Sequence, residues 1–207
     1  SKPLLPLFEA IINSIQAIED RGIKDGIITI QIERTKDLFN DEGENVHPIK
    51  SFTITDNGIG FNDANFKSFN KADTTLKKSK GGKGIGRFIW LKAFDKVIVE
   101  SIYKNEHGYE KRNFAFKLSE KGIEDDTLVD HAEPKYFTSV TLTGLKETYY
   151  QFCPRKADVI AEKIIEHCLV YFVTGNIPII QLQDEANKVS IVLNDIFRDI
   201  AKSTLEE

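Results

Sequence analysis

A glycine-rich stretch that leads directly into an apolar segment is the feature that most constrains how this chain can fold. Residues 81–87 read Gly-Gly-Lys-Gly-Ile-Gly-Arg, and residues 88–94 read Phe-Ile-Trp-Leu-Lys-Ala-Phe. Four glycines in six residues allow positive φ values and let backbone N–H groups approach a ligand. Since the apolar segment is compatible with a helix, the positive end of its dipole would meet an anion at the loop, beside Lys83 and Arg87. The stretch predicts a phosphate-binding loop, with a flexible surface loop as the alternative.

The glycine spacing separates this stretch from two widespread phosphate-binding motifs. It lacks the Gly-Lys-Ser/Thr ending of a Walker A motif. Its Gly-x-x-Gly-x-Gly order, after polar residues, also differs from a Rossmann motif, in which the glycines follow a hydrophobic strand. Upstream, residues 62–80 are polar and show few structural signals, which predicts a mobile lid over phosphates or else a solvated loop. The lysines of interest in this segment are Lys71, Lys77, Lys78 and Lys80.

The N-terminal segment carries a polar face on an otherwise apolar helix. Apolar residues recur at helical spacing from Leu4 to Asp20, and an Arg-Gly pair follows. Glu9, Asn13 and Ala17 recur every four residues, so they share one face of that helix. A glutamate and an asparagine one turn apart, beside a small residue, can meet a metal-bound phosphate. The alternative is the solvated edge of an amphipathic helix.

A carboxylate at the end of a strand forms a second candidate site. Residues 26–34 and 49–55 both alternate like strands and would pair as a hairpin. The second strand runs into Asp56-Asn57-Gly58-Ile59-Gly60-Phe61. The aspartate can accept a hydrogen bond from an exocyclic amine, while the glycines let a ring lie against the backbone. An ordinary Asp-Asn-Gly turn is the competing interpretation.

The remaining pattern predicts a mixture of strands and helices. Residues 120–133 are acidic and are expected to form a connection, and Thr138 lies on a strand that follows it. Residues 155–173 predict one long helix with Val159, Ile160, Ile164, Ile165, Cys168, Leu169 and Phe172 facing inward. The other predicted strands are 96–103, 109–118, 136–142, 177–182 and 188–193, and a last helix is predicted over 194–202.

Composition narrows the classes of partner. The net charge of −4 gives no basic excess for direct nucleic-acid binding, and the four histidines are scattered. The two cysteines, in separate segments, are typical of a reducing compartment, so we expect a cytoplasmic protein. No apolar run reaches transmembrane length, and we expect neither a signal peptide nor a membrane partner. The chain has no methionine, even at position 1, which leads us to expect a piece of a longer protein.

Three stretches, taken together, resemble one family. Glu-x-x-x-Asn-Ser-x-x-Ala (residues 9–17), Asp-x-Gly-x-Gly (56–60) and Gly-x-x-Gly-x-Gly (81–86) resemble the N box and two glycine boxes of the gyrase B, Hsp90, histidine kinase and MutL (GHKL) ATPase superfamily. The strand at residues 137–142 is similar to a late Gly-Thr-x-Val-x-Leu strand of that family, with Phe137 in place of the glycine. The resemblance covers residues 4–145, and the joint pattern is more specific than any one box.

This resemblance implies a set of roles. Asp56 would bind the adenine amino group, Gly60 would make room for the base, and Thr138 would reach the same pocket. Asn13 would ligate Mg²⁺ between the ATP phosphates, and Glu9 would orient and deprotonate the attacking water. The residues expected to contact ATP are Asn13, Ala17, Asp56, Gly58, Gly60, Phe61, Gly81, Gly82, Lys83, Gly84, Ile85, Gly86 and Thr138.

The resemblance also implies a fold and leaves alternatives for function. It implies an α+β two-layer sandwich of the Bergerat type, with a mixed, mostly antiparallel sheet and helices on one face. Residues 1–150 would form the ATP-binding core, and residues 151–207 would complete it before a following domain. Glu9 favours the hydrolysing branches, and the stretch from the glycine loop is similar to bacterial Hsp90-like ATP-binding proteins, whereas Gln16 replaces an acidic residue that many relatives carry.

Three activities remain open at the level of the sequence. An ATPase would use its nucleotide state as a lid or dimerisation switch in a larger protein, with a homodimer formed through regions outside this sequence. A kinase would transfer the phosphate to a protein, and a nucleotide-gated binding module would not hydrolyse ATP. The protein or DNA client is not identified by the sequence.

Overall fold

The computed structural model of the chain describes residues 3–35, 47–74 and 86–205. In these ranges the chain forms seven helices and eight strands. The helices are α1 (Leu5–Arg21), α2 (Asp63–Thr74), α3 (Gly86–Ala93), α4 (Glu147–Tyr150), α5 (Ala157–His167), α6 (Leu169–Thr174) and α7 (Leu193–Leu205). The strands are β1 (Ile27–Arg34), β2 (Ile49–Asp56), β3 (Phe94–Lys104), β4 (Tyr109–Lys117), β5 (Ile123–His131), β6 (Phe137–Leu145), β7 (Ile179–Asp184) and β8 (Val189–Val192).

The strands form one sheet in the order β5-β4-β3-β6-β2-β1-β7-β8. The pair β1–β7 is parallel, and the other neighbouring pairs of described strands are antiparallel. The expected hairpin of β1 and β2 is present, with Ile28 opposite Asp56. The prediction of an α+β fold with a mixed, mostly antiparallel sheet is therefore confirmed.

The hydrophobic core lies between the helices and one face of the sheet. In β1 the side chains of Ile28, Ile30 and Ile32 are buried, whereas the residues between them face the other side of the sheet and are more exposed. The apolar stripe of α1, which includes Leu7, Ile11 and Ile15, joins the same continuous core. Burial of these branched side chains holds α1 against the sheet, where its remaining faces border a cleft.

Local sequence explains where α1 begins and ends. Pro6 lies in the first turn, where its missing N–H removes no helical hydrogen bond. Gly22 follows the last turn with a φ of 69°, and its N–H donates to the carbonyls of Ile18 and Glu19. This left-handed cap turns the chain toward β1.

A buried ion pair closes the far end of the same strands. Arg34 at the end of β1 lies with its Nη2 2.7 Å from Asp184 Oδ2 at the end of β7. The guanidinium also donates to the carbonyls of His47 and Arg155, each at 2.6 Å. Burial alone would raise the pKa of Asp184, but the hydrogen bonds from Arg34 and Asn187 outweigh it and hold that pKa below its ordinary value.

Two segments that we expected to lack regular structure contain a helix or a strand among their described residues. The segment predicted to be a lid or loop contains α2, whose Phe66 and Phe69 pack on Phe114 of β4. The acidic segment predicted to be a connection contains β5, which pairs with β4 at the edge of the sheet. The expectation of an irregular connection was therefore wrong for β5, and the expectation of a solvated loop was wrong for α2, whereas the mobile lid stays a prediction.

The helix predicted over residues 155–173 is divided in two. The break falls at Cys168, whose backbone (φ −95°, ψ 13°) leaves the helical region between α5 and α6. As a result Leu169 is 46% exposed, so its predicted inward position was wrong, whereas Ile160, Ile164 and Phe172 are buried as expected.

The glycine loop is largely outside the described residues. Gly86 is the first residue of α3, which places a helix directly after the loop as the sequence predicts. Lys71 belongs to α2. The other loop residues and lysines singled out above, which are Gly81, Gly82, Lys83, Gly84, Ile85, Lys77, Lys78 and Lys80, lie outside the described residues.

Candidate functional site

A cleft of about 460 Å³ opens between α1 and the ends of the central strands. α1 forms one wall, and the turn after β2, α2, α3 and β6 supply the rest. The lining residues are Glu9, Ala10, Ile12, Asn13, Ser14, Gln16, Ala17, Asp20, Asp56, Gly60, Phe61, Asn65, Ser68, Phe69, Trp90, Thr138 and Val140. The structure therefore brings together residues from α1, from the turn after β2 and from β6 that the sequence analysis had singled out separately.

Asp56 is the buried carboxylate of this cleft. It is the last residue of β2 and is 6% exposed. The Ser14 hydroxyl donates to its Oδ2 and the Gly58 N–H donates to its Oδ1, each at 2.8 Å. Burial raises the pKa of Asp56 to about 6, although both hydrogen bonds act in the opposite direction. At neutral pH the group is a carboxylate with lone pairs left to accept an N–H from a ligand.

A row of buried polar side chains crosses the sheet from this carboxylate. Asp56 is opposite Thr138 on β6, Thr138 is opposite Ser101 on β3, and Ser101 is opposite Arg112 on β4. Directly opposed residues of neighbouring strands point to the same face. All four are at most 6% exposed, so this row is a polar strip within an otherwise apolar layer.

Gly58 allows the turn after β2 to lie directly against α1. A Cβ at this position would be 2.6 Å from the carbonyl carbon of Ala17 and 2.7 Å from its Cβ. The next residue, Ile59, donates its N–H to the Ala17 carbonyl at 2.9 Å. The small residues at 17 and 58 thus let the helix and the turn approach closely enough to fix Asp56 beside Ser14.

Gly60 has the corresponding role on the other side of the turn. Its φ of 77° is in the left-handed region, and a Cβ would lie 2.8 Å from Ser101 Oγ and 3.1 Å from Tyr103 Cβ. The chain continues into Phe61, whose N–H donates to Ser101 Oγ at 2.9 Å. The ring of Phe61 meets that of Phe69 edge-on, with centroids 5.6 Å apart. This aromatic pair forms an apolar side of the cleft.

The last residue of α1 anchors the same turn. Arg21 donates from Nη1 to the Asn57 carbonyl at 2.6 Å, and its guanidinium lies 3.8 Å from the centre of the Tyr136 ring. The Asn57 side chain accepts from the N–H of Ile27 at 2.9 Å and donates to the Asp25 carbonyl at 3.0 Å. The residue next to Asp56 is therefore held on both sides.

The first turns of α2 are tied to the cleft as well. Asn65 donates from Nδ2 to the Gly60 carbonyl at 2.8 Å. Asp63 accepts from Arg112 Nη2 at 2.6 Å, and the same guanidinium lies 4.1 Å from the centre of the Phe66 ring. These contacts place the N-terminal end of α2 over the polar row.

The polar face of α1 supplies oxygen atoms to the cleft wall. Glu9 is half-buried and Asn13 is exposed, and both line the cleft. Magnesium keeps several waters and is held in nucleotide sites by one or two protein oxygens together with phosphates. In the part of the chain that the structure describes, no cluster of three or more His, Cys, Asp or Glu side chains could hold a metal. An amide oxygen at Asn13 fits an ion whose other ligands are phosphate and water.

Several cleft residues were not assigned roles from the sequence. Ser14 interrupts the buried stripe of α1, and Ser101 interrupts the inward-facing apolar residues of β3, so a lone polar residue on an apolar face was the available clue in both cases. Asn65 gave no such clue because it lies on α2, which was not predicted. Trp90 gave none because its apolar neighbours in sequence indicate an ordinary core residue. The predicted residues Glu9, Asn13, Ala17, Asp56, Gly58, Gly60, Phe61 and Thr138 all lie in or beside the cleft.

Comparison with known proteins identifies the fold. No protein-family model and no curated protein matches the chain. Among solved structures, the 43K ATPase domain of Thermus thermophilus gyrase B, in complex with an aminocoumarin, matches with a TM-score of 0.59 and 17% identity. The match covers 92% of this chain and 45% of that one, so this chain spans less than half its length. The chain therefore has the fold of the gyrase B ATPase domain, as the resemblance implies.

Within residues 3–35, 47–74 and 86–205, no helix is long and apolar enough to cross a membrane.

Proposed function

We propose that this chain binds ATP in the cleft between α1 and the sheet and hydrolyses it with Mg²⁺. The observation that carries the proposal is Asp56, a buried carboxylate that Ser14 and Gly58 hold in a cleft also lined by the polar residues of α1. The fold shared with a gyrase B ATPase domain supports it. A carboxylate that is costly to bury is expected where it has a ligand to recognise.

The adenine base would lie at the buried end of the cleft. Asp56 would accept a hydrogen bond from the exocyclic amine, and Thr138, its cross-strand neighbour, would face the adjacent ring nitrogen. The turn containing Gly58 and Gly60 would lie along one side of the ring. Phe61 would cover part of the base with its apolar surface.

The phosphates would extend along α1 toward the start of α3. Asn13 would hold Mg²⁺, which would neutralise phosphate charge, and Glu9, one turn earlier, would orient and deprotonate the attacking water. The backbone N–H groups of the glycine loop and the N-terminus of α3, which begins at Gly86, would hold the phosphate oxygens.

The nucleotide state would act as a conformational or dimerisation switch in a larger cytoplasmic protein. The contacts of Asn65 and Asp63 connect α2 both to the turn after β2 and to the polar row. A ligand that alters this turn would therefore alter the position of α2. A homodimer formed through further regions, and a relation to the bacterial Hsp90-like ATP-binding proteins, are extensions of the same proposal.

Calorimetric titration of ATP with Mg²⁺ tests the binding step. We expect wild type and an Asp130→Ala control, an exposed aspartate on β5, to bind ATP alike, and Asp56→Ala to lose at least about tenfold in affinity. Folded wild type that binds no adenine nucleotide would refute the proposal.

A second experiment separates hydrolysis from phosphate transfer. With γ-labelled ATP, a hydrolase releases labelled free phosphate, whereas a kinase places the label on protein. Label that accumulates on protein would replace the ATPase assignment with that of a kinase, and tight binding with no release of phosphate would favour a non-hydrolysing module.

A further inference from the structure

The polar row contains a hydroxyl that does not reach the cleft. Ser101 is 0% exposed and is not among the residues that line the cleft. Its Oγ accepts the N–H of Phe61 at 2.9 Å and lies 3.0 Å from Thr138 Oγ1. It therefore connects the turn after β2 to the threonine that faces the proposed base.

The hydrogen bonds among Phe61, Ser101 and Thr138 can run in only a few directions. A backbone N–H can only donate, so one lone pair of Ser101 is used by Phe61. Among the described residues, Thr138 Oγ1 is the acceptor within reach of the Ser101 hydroxyl proton. If Thr138 donated to Ser101 instead, the Ser101 proton would be buried with no partner, which is unfavourable.

When Ser101 donates to Thr138, the hydroxyl proton of Thr138 points away from Ser101. Ser101 donates to Thr138, and Thr138 in turn keeps its own proton for a ligand in the cleft, which it lines. A hydroxyl that rotates freely can either donate or accept, whereas one that already accepts from a buried neighbour is biased toward donation.

We propose that Ser101 is a positioning residue for base recognition, which holds the Thr138 hydroxyl as a hydrogen-bond donor toward the nucleotide. This inference rests on the proposed function. An acceptor at Asp56 and a donor at Thr138, on directly opposed residues, match the amine and the unprotonated ring nitrogen N1 of adenine. Guanine and hypoxanthine present a carbonyl oxygen and an N1–H, which oppose both groups.

The test compares ATP with its N1-deaza analogue, in which C–H replaces the ring nitrogen. In wild type we expect the analogue to bind about tenfold more weakly, because it lacks the acceptor for Thr138. In Thr138→Val the two nucleotides should bind alike. In Ser101→Ala we expect the ratio of the two dissociation constants to fall below about threefold, as the bias toward donation is lost.

A matched control is present on the opposite face of the same sheet. Thr53 and Thr141 form a hydroxyl–hydroxyl contact of 3.1 Å across β2 and β6, away from the cleft. Thr141→Val removes this contact and should leave the ratio at the wild-type value. Ser101→Cys, which is similar in size to serine and a weaker donor, gives a second variant should alanine at this position not fold.

The outcomes distinguish this inference from the proposed function. If Ser101 has only a structural role, its variants lower the affinities for both nucleotides by the same factor, and a ratio within twofold of the wild-type value overturns the inference alone. If folded wild type binds neither nucleotide, the proposed function fails and this inference fails with it.

Discussion

Replacing Asp56 with asparagine is expected to stabilise the protein at neutral pH while it weakens nucleotide binding. Burial raises the pKa of Asp56 from 3.8 to about 6, so the ionised form is disfavoured in the folded state. A shift of about two units corresponds to about 3 kcal/mol. Asparagine can keep both contacts, since its oxygen can accept the Gly58 N–H and its amide can donate to Ser14 Oγ.

The pH dependence fixes the sign of this effect. Because the folded-state pKa is raised, the contribution of Asp56 to stability is fully present below its ordinary value of 3.8 and is lost as the pH rises through about 6. The asparagine variant has no such loss. We therefore expect the two proteins to be similar in stability at about pH 4, and the variant to be more stable by about 2–3 kcal/mol at about pH 8.

Urea unfolding of nucleotide-free protein at several pH values measures this difference. Asp130→Asn, at an exposed position of the edge strand β5, is the control for the removal of one negative charge. An Asp56→Asn variant that is less stable than wild type at about pH 8, or a gap that is the same at both pH values, would refute the reasoning. A confirmed gain would mean that the carboxylate is retained for binding at a cost in stability.

Three further substitutions test the cleft and its support. Glu9→Gln should lower the rate of ATP hydrolysis by at least about a hundredfold and leave the ATP affinity unchanged. The control Glu19→Gln, on the exposed side of α1, should alter neither quantity. Intact turnover in Glu9→Gln would rule out Glu9 as the general base. Gly58→Ala should lower the unfolding free energy by about 1–3 kcal/mol, because its Cβ would overlap the backbone of α1; an unchanged melting temperature would contradict this close approach. Asp184→Ala should lower the free energy of unfolding, measured with urea, by about 3–5 kcal/mol, because it leaves the buried Arg34 without its ion-pair partner. Glu33→Ala, which removes an exposed ion pair, should lower it by less than about 1 kcal/mol. Equal losses in the two variants would be inconsistent with burial as the cause.

Periodicity in the sequence predicted those elements that bury one face. α1, β1, β2, β3, β4 and β6 were all predicted close to their observed bounds, because alternating or helical apolar patterns reflect contact with the core. β5 has no such pattern, since six consecutive residues from Asp125 to Asp130 are exposed and its pairing with β4 depends on backbone hydrogen bonds. An edge strand of this kind has little hydrophobic signature.

Site residues were predicted where a local sequence pattern marks them and were missed where their contacts are made by segments distant in the sequence. Asp56 and Asn13 were found because they belong to short motifs, whose residue types and order are visible in one segment. Ser101 was missed because its contact to Thr138 joins strands that are 37 residues apart in sequence. α2 was missed because its few apolar contacts are to an aromatic cluster built from β4, which the local sequence does not reveal.

The parallel pairing of β1 with β7 has a consequence for synthesis on the ribosome. β1 is synthesised before β7, and β7, which covers its second edge, begins only at Ile179. Before β7 is synthesised, β1 has β2 as its neighbour in the sheet but lacks β7, so the backbone groups on its other edge would be free to join a strand of another nascent chain. A chaperone that shields the β1 edge during translation should therefore increase the yield of folded protein. We expect this effect to be larger than the effect of substitutions in β5, which lies at the opposite edge of the sheet.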